Sequence, residues 1–140
     1  MAPDLAKVRV GYELPEIRRT ITKVSLFLFG VAHWTPHRIH WDDTSAQAAG
    51  FKGPLVTANL LSAINAELVA GWLGDEGRLI RLDERNVGSA TAGDTVVATG
   101  RVTALTDGRT GTVISCALEM HVLDGGTIVT GEAHVLLPAD

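Results

Sequence analysis

Between Phe29 and Asp43 the chain reads Phe-Gly-Val-Ala-His-Trp-Thr-Pro-His-Arg-Ile-His-Trp-Asp-Asp, which gathers three of its five histidines, two of its three tryptophans and an acidic pair. Imidazole is the side chain best suited to moving protons near neutral pH, so His33, His37 and His40 point first to general acid/base chemistry. The competing reading is a histidine-bearing surface turn with some affinity for metals. Spacings of four and three would place the three imidazoles on one helical face, as a zinc site needs. Pro36 restricts Thr35 away from α geometry and interrupts such a helix, so no metal is expected.

The elements that must hold these residues follow from the flanking pattern. Asp42 or Asp43 suits the N-cap of a short helix over Thr44 to Ala49, stopped by Gly50. Gly53-Pro54 leads into a longer helix, Val56 to Leu73, ended by Gly74. That helix is apolar on nearly every side, which marks it as one that other elements enclose. Only Asn59, Ser62 and Asn65, spaced by three, give it a polar line, and Ser62 and Asn65 are expected to bond within the helix or to a facing strand. Ahead of the histidines, Ile17 to Thr22 suits a strand, and Val24 to Ala32 suits a short buried helix or a strand.

After the long helix the period changes to two. Arg78 to Val87, Thr95 to Leu105, Thr112 to Leu123 and Thr127 to Leu137 read as strands. Val96, Ala98, Val102 and Ala104 share one face of the second. Thr106-Asp-Gly and Asp124-Gly-Gly are turn signals, so the last three strands should form consecutive antiparallel hairpins. His121 and His134 oppose the apolar parity of their strands and belong on a solvated face. The expected architecture is α+β, a curved antiparallel sheet wrapped around one long central helix. One such sheet leaves strand edges unprotected, and pairing with a second copy or a related chain would cover them, so a dimer is expected.

Composition bounds the reading. At 140 residues the chain is one domain long, and 46% apolar with 20% charged residues is ordinary for a soluble globular protein. A net charge of −4, with basic residues scattered, argues against nucleic acid as a partner. The single cysteine, Cys116, reads as a buried inert thiol and fits a reducing compartment. The apolar run at Val24 begins too far into the chain for a secretory signal and is too short to span a bilayer, so no membrane partner and a cytoplasmic location are expected.

Three motifs, in order, carry a family resemblance. Thr35-Pro-His-Arg-Ile-His-Trp-Asp42 resembles the Asn-Pro-(x)-His-x-Asp hydratase motif. It is closer still to the His-Arg-Ile-His-Tyr-Asp version of fungal-type mitochondrial dehydratases and mesaconyl-CoA hydratase-like proteins. Ala48-Ala-Gly-Phe-Lys-Gly-Pro-Leu-Val-Thr-Ala58 resembles the segment that normally ends in Val-His-Gly before the central helix. Ala92-Gly-Asp-Thr-Val96 resembles a Gly-Asp-Thr-Val turn that opens a later strand. Over Ile21 to Pro138 the chain thus resembles the hotdog-fold MaoC-like dehydratase/hydratase family, which includes (R)-specific enoyl-CoA hydratases.

The resemblance implies a hydro-lyase acting on enoyl or 3-hydroxyacyl thioesters of coenzyme A or acyl carrier protein, with no further cofactor. It places the motif histidine at His40 and the oxyanion N–H donor at Ala58, with Thr57 in the adjacent histidine's position. Asn59 and Ser62 follow as substrate-binding candidates, and Asp42 and His37 as orienting groups. The family's catalytic aspartate falls at Thr35 in the short motif and near His33 in the longer one, so the second catalytic group departs from the pattern. Two alternatives stay open: a subunit that works only beside a homologous hotdog partner, and a polyketide-tailoring protein that catalyses cyclisation or isomerisation.

Overall fold

The computed structural model describes residues 5–139. Its elements run β1 (Ile17–Thr20), α1 (Lys23–Ala32), α2 (Asp43–Ala48), α3 (Ala58–Leu73), β2 (Arg78–Asn86), β3 (Thr95–Gly108), β4 (Gly111–Val122) and β5 (Thr127–Pro138). The strands form one antiparallel sheet in the order β1-β3-β4-β5-β2, curled around α3 as the hotdog resemblance implies. The lead-in before β1 prolongs this edge: Gly11 N–H bonds Val102 O and Leu14 N–H bonds Gly100 O, both at 2.8 Å.

Alternation builds the concave face. Ile114, Cys116 and Met120 of β4 and Ala133 and Val135 of β5 are fully buried, and they pack with Leu68, Val69 and Leu73 of α3. Burial pushes the Cys116 thiol up to about 11, which suits an inert core thiol. His134 lies on the opposite face, where its Nδ1 pairs with Ser115 Oγ at 3.1 Å and its Nε2 meets Glu132 at 2.9 Å.

Four sequence expectations are corrected. First, β3 carries a bulge between Val102 and Ala104, so Ala104 faces Ser115 on the outer side and leaves the apolar set expected for it. Second, pairing continues past Thr106-Asp-Gly to Gly108 opposite Gly111, which moves the turn to Arg109-Thr110. A Thr112 Oγ1 to Asp107 hydrogen bond of 2.6 Å extends the ladder there. Third, the run at Val24 is a helix, started by a reciprocal cap between Thr22 and Ser25. It is not buried: Leu26 is its one buried residue, while Val24, Phe27, Leu28 and Val31 are more than half exposed. Fourth, α3 is enclosed on one side only, since Asn59, Ala63, Glu67 and Ala70 form an exposed stripe. The polar residues spaced by three drift around the helix, from exposed Asn59 through half-buried Ser62 to fully buried Asn65.

The segments that resemble the second and third motifs pack on each other and set the start of α3. Val56 N–H bonds Ala90 O at 2.9 Å, Ala92 N–H bonds Pro54 O at 2.8 Å, and Lys52 pairs with Asp94. Asp94 also accepts from Thr91 N–H at 2.9 Å. Burial acts to raise the Asp94 carboxyl, but the bonds from Lys52 and Thr91 and the Lys52 charge outweigh it, so the group is held below its ordinary value.

Candidate active site

The histidine segment leaves α1 through an uncommon turn. His33 closes the helix and Trp34 follows with φ of 52°, a left-handed conformation usual for glycine at this position. Thr35 N–H returns to Gly30 O at 2.9 Å. Arg38 to His40 then form a single 3-10 turn, which carries the His40 ring towards the loop before α3. His33 therefore closes α1, while His37 caps and His40 ends the 3-10 turn, so the three histidines share no single helical face.

His40 Nδ1 lies 2.7 Å from Leu55 O. A carbonyl oxygen can only accept, so Nδ1 carries the proton, and in the neutral ring Nε2 holds the free lone pair. The same loop is tied back by Leu55 N–H to Ile39 O at 2.8 Å. Two backbone bonds thus fix the imidazole against the residues that open α3.

There a cleft of about 350 Å³ is bounded by His40, Leu55, Ala58, Leu61, Asn86 and Ser89, among others. It is of a size to receive a small ligand. Ala58 is the first residue of α3, and the N–H groups of Ala58 and Asn59 have no partner among the described residues. Free amides at a helix start favour developing negative charge. The cleft therefore brings together a nitrogen base at His40 and an N–H donor at Ala58, the pair that proton exchange beside a polarised carbonyl requires.

The remaining candidates occupy other places. Thr57 is buried and caps α3, its Oγ1 accepting from Leu60 N–H at 3.2 Å. Neither Thr57, Asn59 nor Ser62 lines the cleft. Asp42 caps α2 through Ser45 N–H at 3.0 Å and also meets Arg38 at 3.1 Å. The two Ser45 hydrogen bonds hold its carboxyl below the ordinary value. His37 Nδ1 accepts from Ile39 N–H at 3.3 Å, and its ring meets His40 edge-on at 6.2 Å. His33 is exposed and stacks on Phe29 at 4.1 Å. The structure brings His40 and Ala58 to one cleft, with His37 beside His40, while His33 and Asp42 are engaged elsewhere.

Asn86 and Ser89 lie outside the sequence-derived candidates. Their signal is faint: Asn86 is a polar residue at the end of β2 on the parity of Leu82, and it becomes visible only once the partner strand is known. A second, apolar cavity of about 220 Å³ shares His40 with the first and is lined by Leu26, Val31, Trp34 and Trp41, among others. Among the described residues no group of three or more His, Cys, Asp or Glu is placed to hold a metal ion. No helix among them is long and apolar enough to cross a membrane.

The chain's fold is similar to several solved structures. A chain of the ChsH1-ChsH2 complex from Mycobacterium tuberculosis aligns with a TM-score of 0.83 at 24% identity, over 92% of this chain and 98% of that one. The (R)-hydratase from A. caviae involved in PHA biosynthesis aligns with a TM-score of 0.86 at 23% identity, over 94% and 98%. The R-hydratase PhaJ1 from Pseudomonas aeruginosa aligns with a TM-score of 0.85 at 21% identity, over 96% and 85%. In sequence, no curated protein matches significantly. The family described as MaoC like domain matches residues 10–120, most of the chain and all of the cleft. On that match, the protein belongs to the MaoC-like domain family.

Proposed function

We propose that the protein is an enoyl-thioester hydratase or 3-hydroxyacyl-thioester dehydratase, with His40 as general acid/base and Ala58 N–H as an oxyanion donor. The observation that carries this is the His40 ring, anchored through Nδ1 with Nε2 free, in one cleft with Ala58, whose N–H has no partner among the described residues. In hydration, water oxygen bonds the β carbon as the π pair shifts to the α carbon. One water proton passes to Nε2, and Nε2 delivers a proton to the α carbon. Enolate charge gathers on the thioester oxygen, where N–H donors stabilise it in the transition state. Hydration of crotonyl-CoA, followed by loss of the conjugated enoyl absorbance, tests the reading. His40→Ala should lower kcat by about 10²-fold or more while the protein stays folded; unchanged turnover in that variant would remove His40 from the chemistry.

A second reading has its own support. No carboxylate lines the cleft, and a structurally similar chain comes from a two-component complex, ChsH1-ChsH2. A chain inactive alone but active when co-expressed with a homologous hotdog chain would favour a heteromeric hydratase. Turnover by the purified chain alone would dismiss it.

A further inference from the structure

The cleft presents a base and an oxyanion site but no carboxylate to orient water, and the geometry points to the Asn86 carboxamide as the group that does so. This assignment rests on the thioester reading above. Leu82, Glu84 and Asn86 share one face of β2, opposite Ala133, Gly131 and Val129 of β5. Ala133 and Val129 are core residues, so this is the face turned towards α3. Glu84 proves the orientation by reaching Asn65 Nδ2 on α3 at 2.6 Å. Asn86, one repeat further on, lines the cleft with His40, Ala58 and Leu61.

The two polar residues of this face are used differently. The Glu84 carboxylate is held by Asn65 and does not line the cleft. The Asn86 carboxamide makes no side-chain hydrogen bond among the described residues. An uncommitted amide on the wall of a pocket that holds a fixed imidazole is placed to bind a polar atom of the ligand. During hydration the water gives one proton to His40 Nε2 and keeps the other as it becomes the new hydroxyl. Asn86 Oδ1 accepts that retained hydrogen, which turns the oxygen lone pair to the β carbon. In dehydration the same contact holds the substrate hydroxyl until it leaves as water, protonated by His40. Asn86 thereby selects an acyl group with a hydroxyl on the β carbon.

Calorimetry with 3-hydroxybutyryl-CoA and with butyryl-CoA, which lacks the hydroxyl, tests the assignment on the whole chain. The wild type should prefer the hydroxyl-bearing thioester by roughly 3- to 10-fold, the worth of one hydrogen bond. Asn86→Ala should abolish the preference and leave butyryl-CoA affinity within about 2-fold, with Thr103→Ala, exposed on β3 and outside the cleft, as the control that keeps it. In crotonyl-CoA hydration, Asn86→Ala should lower kcat more than it raises KM. Asn86→Asp should restore turnover and add a limb to the pH profile in the carboxylate range. A preference that survives Asn86→Ala overturns the assignment alone. Failure to bind either thioester overturns both the assignment and the thioester reading.

Discussion

At the scale of single residues, the His40 site depends on backbone atoms more than on neighbouring side chains. Leu55 O sets the tautomer of His40, and in the proposed reaction Ala58 would act only through its N–H, so neither position declares its role through side-chain chemistry. The N–H can be deleted on its own. Proline is favoured at the first helical position, where its missing N–H breaks no helical bond, and Thr57 already has the extended conformation that a following proline demands, with ψ of 144°. Ala58→Pro should therefore keep the thermal midpoint close to wild type while lowering kcat for crotonyl-CoA by about 10²- to 10³-fold. A fully active Ala58→Pro protein would take the oxyanion role away from this amide.

At the scale of elements, the path between α1 and α2 is set by caps and one strained turn. Thr22 starts α1, His37 starts the 3-10 turn and Asp42 starts α2, each through its own side chain. Trp34 is the exception. It sits in the left-handed region with 81% of its surface exposed, so its ring recovers little burial for the backbone strain. Trp34→Gly should raise stability by about 1 kcal/mol, read as a higher denaturant midpoint at constant m. A fall in stability would mean that the indole contributes packing beyond its visible contacts along the apolar cavity.

At the scale of the molecule, two features bear on assembly and on pH. The exposed face of α1 and the half-exposed Ile80 on the edge strand β2 leave apolar surface uncovered. Sedimentation at micromolar concentration should show a dimer, and Ile80→Lys should shift it to monomer by placing a charge on the strand edge. A monomeric wild type would refute edge pairing. Asp94 joins the loop before α3 to the turn before β3, and its folded-state carboxyl titrates below the unfolded value. Its contribution is therefore complete above the unfolded value and is lost as pH falls through the folded one. Asp94→Asn should cost about 1–3 kcal/mol at neutral pH. The gap from wild type should narrow as denaturation is followed below about pH 4; a gap independent of pH would assign the loss to geometry alone.

Periodicity and cap chemistry are local, and they were enough for α3 and the three long strands, while the three motifs carried the hotdog resemblance. The resemblance, through its first and second motifs, named His40 and Ala58, and the structure places both on one cleft. Other features depend on which chain segments meet. The β3 bulge that turns Ala104 outward, the exposure of α1 and the open flank of α3 are set by neighbours far along the chain. So are the Leu55 carbonyl bonded to His40 and the place of Asn86 on the cleft wall, 46 residues along the chain from His40. Local sequence determines what each segment can become, while cross-strand register and packing decide which polar groups end in one cavity, because a strand's parity has meaning only once its partner defines the inner face.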